Sequence, residues 1–275
     1  KSIIKFIING VQLNLNKKKR FLEAKLKKKK PIVCLTAYTV QVAKIVDKYV
    51  DLILVGDSLG PVLYGFKSTR HVTVDMMVRH AKAVVDNTKK AIVVVDMPFG
   101  TYEKSKITAL KNAKKILELS GADAVKLEGG QEVADTIKYL SKNKVYVMGH
   151  LGMLPQHMNG NYKVYGSSTN EKQQLKKDAV LLEECGVFSI VIECTVKKIV
   201  DEVISNLSIP IIGIGASDRC DGQILVTEDL LGLTDFESKF LKRYARISDI
   251  IEKSVKKFTN DVKSKKFPKK KNLYS

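Results

Sequence analysis

The chain has 275 residues, of which 44% are hydrophobic, so it can form one large α/β domain or two small ones, and no run approaches the roughly 18–20 apolar residues of a membrane span. Its formal charge of +19 at pH 7 is concentrated at the ends: residues 1–30 carry a net of +10 and residues 251–275 a net of +7, which leaves +2 for residues 31–250. A nucleic-acid-binding surface would need a continuous basic face, so we expect neither a nucleic-acid nor a membrane partner, and we interpret the terminal Lys runs as solvated tails.

Eight short apolar runs predict β-strands along the chain. Most of them are rich in β-branched residues and do not alternate with polar ones, which is typical of strands buried on both faces of a parallel sheet. The runs start near Ile32, Leu52, Ala91, Asp123, Val145, Phe188, Ile209 and Gln223.

Segments with helical periodicity separate these strands. Thr73 and Asp75 give a helix-start signal, and Gly121 is a plausible helix C-cap. Strand–helix alternation over about 220 residues is the pattern of a (β/α)8 TIM barrel, with a doubly wound open sheet as the alternative. The predicted helical segments are Val40–Tyr49, Val74–Val85, Thr108–Ser120, Gln131–Leu140, Glu171–Cys185 and Val196–Leu207.

The expected organisation is one α/β domain, a (β/α)8 barrel over residues 21–262, between a basic N-terminal extension (1–20) and a basic C-terminal tail (263–275). Gly213-Ile214-Gly215 supplies only GxG, so the sequence gives no support for a dinucleotide fingerprint. The stretch from Gly152 to Asn170 is polar and rich in Gly, Asn and Ser, and such a loop could close over a site as a lid.

Cysteine usage and the first residues bear on the compartment. None of the four cysteines forms a CxxC pair, which argues against a zinc ribbon or a thioredoxin-type site and favours a reducing setting. Residues 1–20 are basic, but they are poor in Ser and Arg and contain no secretory apolar region of the usual length. We therefore expect a cytoplasmic protein.

Four of the predicted strands end in a carboxylate: Asp57, Asp96, Glu128 and Glu193. In parallel α/β folds, chemistry collects at the carboxyl ends of the strands. Any single acid of this kind could cap a helix or pair with a Lys, but four at equivalent places have no packing reason to exist. Together they predict an enzyme with a metal site and a base.

Asp57, Asp96 and Glu128 are the predicted metal ligands. Three carboxylates that converge on one barrel mouth repel one another unless a cation joins them. Ligation by oxygen atoms alone selects Mg²⁺ or Mn²⁺ over softer metals, with water or substrate completing the coordination.

Two neighbours of these acids are candidate substrate contacts. Lys126 shares a strand face with Glu128, so it could form a structural ion pair or bind a substrate carboxylate beside the metal. Ser58 lies in Gly-Asp-Ser-Leu-Gly, which is not the GxSxG pattern of a nucleophilic serine. We therefore interpret Ser58 as a hydrogen-bond donor to substrate.

Glu193 and His150 are candidates for proton transfer. A buried carboxylate at the end of the sixth strand suits proton abstraction, although a barrel-end salt bridge is the alternative. His150 ends the fifth strand, where it could relay a proton or contact substrate. The other three histidines lack comparable placement.

Several longer motifs resemble the ketopantoate hydroxymethyltransferase family over about residues 20–260, in collinear order. The motifs are LTAY (35–38), LVGDSLG (54–60), STRHVTVDMM (68–77), DMPF (96–99), GADAVKLEGG (121–130), GHLGMLPQ (149–156), IECTV (192–196), IPIIGIGA (209–216), CDGQILV (220–226) and KFLKRYA (239–245).

This resemblance implies a Mg²⁺-dependent (β/α)8 barrel enzyme that assembles as a homo-oligomer, typically a decamer. The family transfers the one-carbon unit of 5,10-methylenetetrahydrofolate to 3-methyl-2-oxobutanoate, which gives 2-dehydropantoate in the first step of pantothenate synthesis. Residue by residue, it implies that Asp57, Asp96 and Glu128 hold the metal, that Asp57, Ser58, Asp96 and Lys126 contact the ketoacid, and that Glu193 is the catalytic base. The chain departs from the family pattern at Thr39, His71, Ser167 and Ser217, none of which is a predicted ligand or base.

Two other functions remain open at this point. Another metal-dependent barrel enzyme acting on a 2-oxoacid, such as a lyase or mutase related to isocitrate lyase, would tend to present a Lys-Lys-Cys-Gly-His-type loop, which the sequence lacks. A non-enzymatic nucleic-acid binder would need a basic central body, whereas residues 31–250 are nearly neutral.

Overall fold

A computed structural model describes residues 31–158 and 163–274. The strands of this part of the chain form one closed parallel barrel in chain order, in which β1 also pairs with β8. The predicted (β/α)8 barrel is therefore confirmed, and the open sheet is excluded. The strands are β1 (Ile32–Thr36), β2 (Leu52–Val55), β3 (Ile92–Asp96), β4 (Ala124–Glu128), β5 (Val147–Gly152), β6 (Ser189–Glu193), β7 (Ile211–Ile214) and β8 (Gly222–Leu225).

Each of the six segments with helical periodicity contains a helix, and the described residues form three further helices that were not predicted. The predicted ones are α1 (Val40–Val46), α3 (Val74–Val85), α4 (Lys106–Ser120), α5 (Ala134–Lys142), α6 (Thr169–Glu184) and α7 (Lys197–Asn206). The additional helices are α2 (Leu59–Tyr64), α8 (Thr227–Leu230) and α9 (Ile247–Lys263). Short 3₁₀ turns cover Thr69–His71, Gln131–Val133, Pro155–His157 and Lys270–Asn272.

Local signals fix several helix ends where the sequence placed them. The Thr73 hydroxyl accepts the N–H of Met76 at 3.3 Å and so begins α3, as its N-cap position predicts. Gly121 ends α4 with a φ of +77°, a left-handed conformation that glycine adopts without a steric penalty. Thr39, a departure from the family pattern, caps α1 by accepting the N–H of Val42.

The described residues fall into two compact units, which divide after Val226. The first contains the barrel. The second, from Thr227 onward, contains α9, which ends at Lys263, where the predicted basic tail begins. The predicted extension (1–20) and the centre of the predicted lid (159–162) lie outside the described residues. No helix in the described part of the chain is both long and apolar enough to cross a membrane.

Strands β2 to β6 are buried on both faces, as their composition predicts, whereas β1 and β8 each expose one residue, Val33 and Gln223. Along β2, Leu52 and Leu54 belong to a cluster inside the barrel, whereas Ile53 and Val55 belong to the layer between the strands and the helices. Because side chains alternate along a strand, this parity decides which residue of each strand points into the mouth. The inner cluster is made of Ile32, Cys34, Leu52, Leu54, Ile92, Val94, Ala124, Met148, Phe188, Val191, Ile212 and Ile224.

Candidate active site

Strand parity brings the predicted chemical residues together at the carboxyl end of the barrel. Asp96 follows the inward Ile92 and Val94 at period two, and Lys126 and Glu128 follow the inward Ala124. By the same count, His150 follows the inward Met148 and Glu193 follows the inward Val191. The strand register also pairs Asp96 with Lys126, Glu128 with His150, and Gly152 with Glu193. The mouth therefore receives polar side chains from four consecutive strands.

Asp57 and Ser58 reach the same mouth from the loop after β2. The backbone N–H of Asp57 donates to Oδ2 of Asp96 at 3.0 Å, so the two predicted metal ligands are neighbours. Gly56 permits this approach, because a Cβ there would lie 2.8 Å from Oγ of Ser58 and 3.4 Å from Oδ2 of Asp96. The hydroxyl groups of Ser58 and Tyr38 are 2.7 Å apart, which orients Ser58 at the edge of the site.

Lys126 forms a buried ion pair with Asp96 rather than with Glu128. Its Nζ lies 2.9 Å from Oδ1 of Asp96, and both side chains are about 5% exposed or less. Burial alone would lower the pKa of Lys126, but the carboxylates of Asp96, Glu128 and Asp57 raise it above its ordinary value. Lys126 is therefore a fixed positive charge, able to hold an anionic group in the mouth.

His150 connects the acid at the end of β4 with the acid at the end of β6. Its Nδ1 lies 3.3 Å from Oε1 of Glu128, and its Nε2 lies 3.2 Å from Oε2 of Glu193. Burial and Lys126 lower the pKa of His150, but the neighbouring carboxylates of Glu128 and Glu193 outweigh them and raise it to about 8. Burial raises the pKa of Glu128, whereas His150 and Lys126 bring it below its usual value. The two acids are thus linked by an imidazole that is protonated near neutral pH.

Glu193 differs from the three predicted metal ligands in its surroundings. Its side chain is 15% exposed, whereas that of Glu128 is 2% exposed and that of Asp96 is 4% exposed. The chain turns sharply beside it, since Cys194 has a φ of +44° and Gly152 a φ of +88°. A Cβ on Gly152 would lie 2.4 Å from the carbonyl oxygen of Glu193. Glu193 is held in place by tight backbone packing while its carboxylate remains accessible.

Two side chains that bond to the predicted site residues, Gln156 and Tyr102, were missed by sequence reasoning. The Gln156 amide donates from Nε2 to Oδ2 of Asp57 at 2.8 Å, and its Oε1 accepts the hydroxyl of Tyr102 at 2.7 Å. Gln156 ends the family-like motif GHLGMLPQ, which could have drawn attention to it. Tyr102 lies outside every motif and its only signal is burial, which a single sequence does not reveal.

The donor chemistry of the site fits a hard divalent cation. Asp57, Asp96 and Glu128 offer carboxylate oxygens, which Mg²⁺ prefers. Burial, followed by the charges of Asp96 and Glu128, raises the pKa of Asp57 to about 8. Such crowding of acids is what a bound cation would relieve.

The side chains do not, however, converge on one point. Among residues 31–158 and 163–274, no three His, Cys, Asp or Glu side chains are arranged as a ready metal-binding group. Instead, Asp57 and Glu128 both bond to Gln156, and Asp96 pairs with Lys126. The fit therefore lies in donor type and charge, and water and substrate would have to complete the coordination.

A cavity of about 570 Å³ lies beside this cluster and contains none of the predicted site residues. It is lined by Leu151, Leu154 and Leu175 together with Asp178. The Asp178 carboxylate already accepts the N–H of Gln131 at 3.0 Å and the Gln174 amide at 2.9 Å. The Asp178 carboxylate is thus engaged within the fold, and the predicted site residues lie in the barrel mouth instead.

The chain has sequence relatives over most of its length. A model of the ketopantoate hydroxymethyltransferase family matches residues 17–270. The chain is 51% identical to the 3-methyl-2-oxobutanoate hydroxymethyltransferase of Rhizobium etli over 242 residues, covering 87% of this chain and 89% of that protein. It is 50% identical to the protein of the same name from Pelagibacter ubique, covering 91% and 96% of the two chains.

Solved structures that resemble the barrel come from more distant proteins. A phosphonopyruvate hydrolase superposes with a TM-score of 0.60 at 13% identity, over 94% of this chain and 92% of its own. A phosphoenolpyruvate phosphomutase from Streptomyces platensis gives the same TM-score at 12% identity, over 89% and 87%. At these identities the likeness supports the barrel fold alone.

Proposed function

Because the chain belongs to the ketopantoate hydroxymethyltransferase family, we propose that it transfers the one-carbon unit of 5,10-methylenetetrahydrofolate to 3-methyl-2-oxobutanoate, giving 2-dehydropantoate. The observation that carries the proposal is the meeting of Asp57, Asp96, Lys126 and Glu128 in one buried mouth with the accessible Glu193. A cation site, an anchor for an anion and a base are the three parts that enolisation of a 2-oxoacid needs.

Asp57, Asp96 and Glu128 would hold a Mg²⁺ ion. When bound, the ion would supply Lewis-acid stabilisation of negative charge at the keto oxygen. The buried Lys126 ammonium is the anchor for the substrate carboxylate, since its raised pKa keeps it charged throughout the physiological range. The Ser58 hydroxyl, oriented by Tyr38, donates a hydrogen bond to the ketoacid.

Glu193 is the proposed base. Its carboxylate takes the proton from C3 of 3-methyl-2-oxobutanoate, and the electron pair of that C–H bond becomes the enolate. Water hydrolyses both C–N bonds of the folate's methylene group, which gives formaldehyde and tetrahydrofolate. C3 of the enolate then adds to the formaldehyde carbon as its C=O π bond breaks, and the resulting alkoxide takes up a proton to give the hydroxymethyl group. Nε2 of His150 lies 3.2 Å from Oε2 of Glu193, so the imidazole orients the base.

The decisive assay measures 2-dehydropantoate formation from both substrates, with Mg²⁺ present and after its removal by a chelator. We expect turnover only with the ion. In D₂O without folate, the ketoacid should exchange its C3 proton, which isolates the enolisation step. Product formation that is undiminished in chelator would refute the metal proposal, and no turnover under any condition would refute the assigned reaction.

The expected partners of the protein are its small-molecule substrates and further copies of itself. Within the carboxy-terminal unit, α9 exposes five large apolar side chains, which is unusual for a helix facing only water. We propose that this face packs in a homo-oligomer, with the family's typical decamer as the expected size. Mass measurement of the native protein by light scattering tests this, and a monomeric mass would refute it. The exposed apolar side chains are Ile250, Ile251, Val255, Phe258 and Val262.

We propose a cytoplasmic location. The four cysteines, Cys34, Cys185, Cys194 and Cys220, are all free thiols, which is the usual state in a reducing compartment. Fractionation of cells that express the tagged protein tests this location.

A further inference from the structure

Gln156 is a buried, hydrogen-bonded side chain of the site that has no role in the chemistry just described. It is 1% exposed and lies in the 3₁₀ turn after β5. Its Nε2 donates to Oδ2 of Asp57 at 2.8 Å and to the carbonyl oxygen of Met97 at 2.9 Å. Its backbone N–H donates to Oε2 of Glu128 at 3.0 Å. Gln156 therefore donates hydrogen bonds to two of the three predicted metal ligands.

Tyr102 fixes the orientation of this amide. Its hydroxyl donates to Oε1 of Gln156 at 2.7 Å and accepts the N–H of Glu128 at 3.3 Å, and the ring is 1% exposed. A flipped amide would turn its oxygen toward the Met97 carbonyl, which only accepts hydrogen bonds, and would turn its NH2 group away from it. The Gln156 side chain thus has one orientation in which its hydrogen bonds are satisfied.

A neutral donor at this position has a consequence for cation binding. Lys or Arg between two buried carboxylates would neutralise them and compete with a metal ion. The amide and backbone N–H groups of Gln156 satisfy one oxygen each of Asp57 and Glu128 but add no net charge, so the negative field of the acids is retained. Groups that hold metal-binding carboxylates in this way commonly change metal affinity about 10–100-fold when they are removed.

We propose that Gln156, oriented by Tyr102, is a positioning residue that holds Asp57 and Glu128 in the arrangement a divalent cation requires. This inference rests on the proposed function, because it takes those two acids as metal ligands. The hydrogen bonds of Gln156 go to Asp57, Glu128, Met97 and Tyr102, so its proposed effect passes through the two carboxylates.

The test measures Mn²⁺ binding by the full-length protein, from the loss of the free-ion signal in electron paramagnetic resonance. Gln156→Met keeps the length of the side chain and the backbone N–H but removes the amide. Tyr102→Phe removes a single hydroxyl. We expect each change to weaken Mn²⁺ binding by about 10-fold or more, and the double variant to lose little more than the worse single one, because the two groups act as a unit.

A matched control and a kinetic readout separate positioning from a general loss of structure. Gln174→Met makes the same substitution at an amide that donates 2.9 Å to the carboxylate of Asp178, away from the mouth, and should leave Mn²⁺ affinity unchanged. In the assay, the Gln156 and Tyr102 variants should need more Mg²⁺ for half-maximal rate, and saturating Mg²⁺ should restore most of kcat. A merely structural residue would lower kcat at every Mg²⁺ concentration.

Wild-type protein that binds no Mn²⁺, or variants that bind it within twofold of wild type, would overturn the inference. If Gln156→Met does not fold, Tyr102→Phe decides the matter, since it alters the hydrogen bond to Gln156 while retaining the ring. Because the Mn²⁺ readout needs neither substrate, a wild-type protein that binds Mn²⁺ but makes no 2-dehydropantoate would contradict the proposed reaction and leave the positioning role standing.

Discussion

Asp57→Asn should stabilise the metal-free protein, and more so at higher pH. Burial and the neighbouring Asp96 and Glu128 raise the pKa of Asp57 from 3.8 to about 8 in the folded state. A carboxyl group with a raised folded-state pKa contributes fully to stability below pH 3.8, and that contribution is lost as the pH rises toward 8. Asn cannot ionise, so the stability of the variant does not fall with pH through this group.

The difference in pKa sets the magnitude. Each pKa unit corresponds to about 1.36 kcal/mol, so the ionisation of Asp57 costs at most roughly 5 kcal/mol of folding free energy at pH 7.5 and about 1 kcal/mol at pH 4.5. Relaxation around the buried charge reduces the realised gain. We expect Asp57→Asn to raise the free energy of unfolding by at least about 1 kcal/mol at pH 7.5, and by clearly less at pH 4.5.

Urea unfolding in the presence of a chelator, at both pH values, measures this gain. Asp86→Asn is the matched control, because Asp86 is an exposed acid whose partner is the i–4 lysine Lys82, and it should give no gain that grows with pH. Adding Mg²⁺ should stabilise the wild type but not Asp57→Asn. A variant that is less stable than wild type at pH 7.5 without metal, or one whose gain does not depend on pH, would refute the electrostatic reasoning.

Three further substitutions test other parts of the site. Glu193→Gln should slow C3 proton exchange of the ketoacid in D₂O by about 10²–10⁴-fold while Mn²⁺ affinity stays at the wild-type value, and an unchanged exchange rate would assign the base elsewhere, with His150 next. Lys126→Met leaves the Asp96 carboxylate buried and unpaired, so it should cost about 3–5 kcal/mol of stability and raise KM for the ketoacid, which urea unfolding and steady-state kinetics measure; an unchanged KM would exclude the anchor role. Gly152→Ala forces a Cβ to 2.4 Å from the Glu193 carbonyl oxygen at a positive φ, so it should lower the free energy of unfolding by at least about 1 kcal/mol, and an unfolding midpoint equal to that of wild type would show that the turn can relax.

The barrel and most of the site residues could be predicted because both follow from one-dimensional patterns. Alternation of strands and helices carries the fold, and period two along each strand places Asp96, Lys126, Glu128 and Glu193 on the inner face. Helix α9 was missed because its apolar residues are interleaved with lysines, and its helical period was overlooked. The ligand roles of the acids stay a prediction, since their convergence on an ion depends on side-chain rotamers and on the ion itself.

Sequence patterns do not predict which side chains pair with one another. The sequence suggested Glu128 as the partner of Lys126, because the two share a strand face. In the structure the ammonium pairs instead with Asp96, which lies opposite Lys126 on the neighbouring strand. Gln156 and Tyr102 meet from loops that follow different strands, 54 residues apart, so no spacing rule connects them. Such contacts depend on the stagger of neighbouring strands and on the path of the loops, and the local sequence determines neither of these.

The charge balance of the mouth predicts the order in which ligands bind. Even with Asp57 protonated, the three acids Asp96, Glu128 and Glu193 outnumber the two cations Lys126 and His150. A ketoacid anion that enters this mouth alone meets excess negative charge, whereas a divalent cation removes that excess and leaves Lys126 effective as an anchor. We therefore expect 3-methyl-2-oxobutanoate to bind at least about tenfold more weakly in chelator than with Mg²⁺, a difference of about 1.4 kcal/mol in calorimetric titration. Equal ketoacid affinity in the two conditions would mean that Lys126 and Ser58 alone recognise the anion, and that the acids serve a later step.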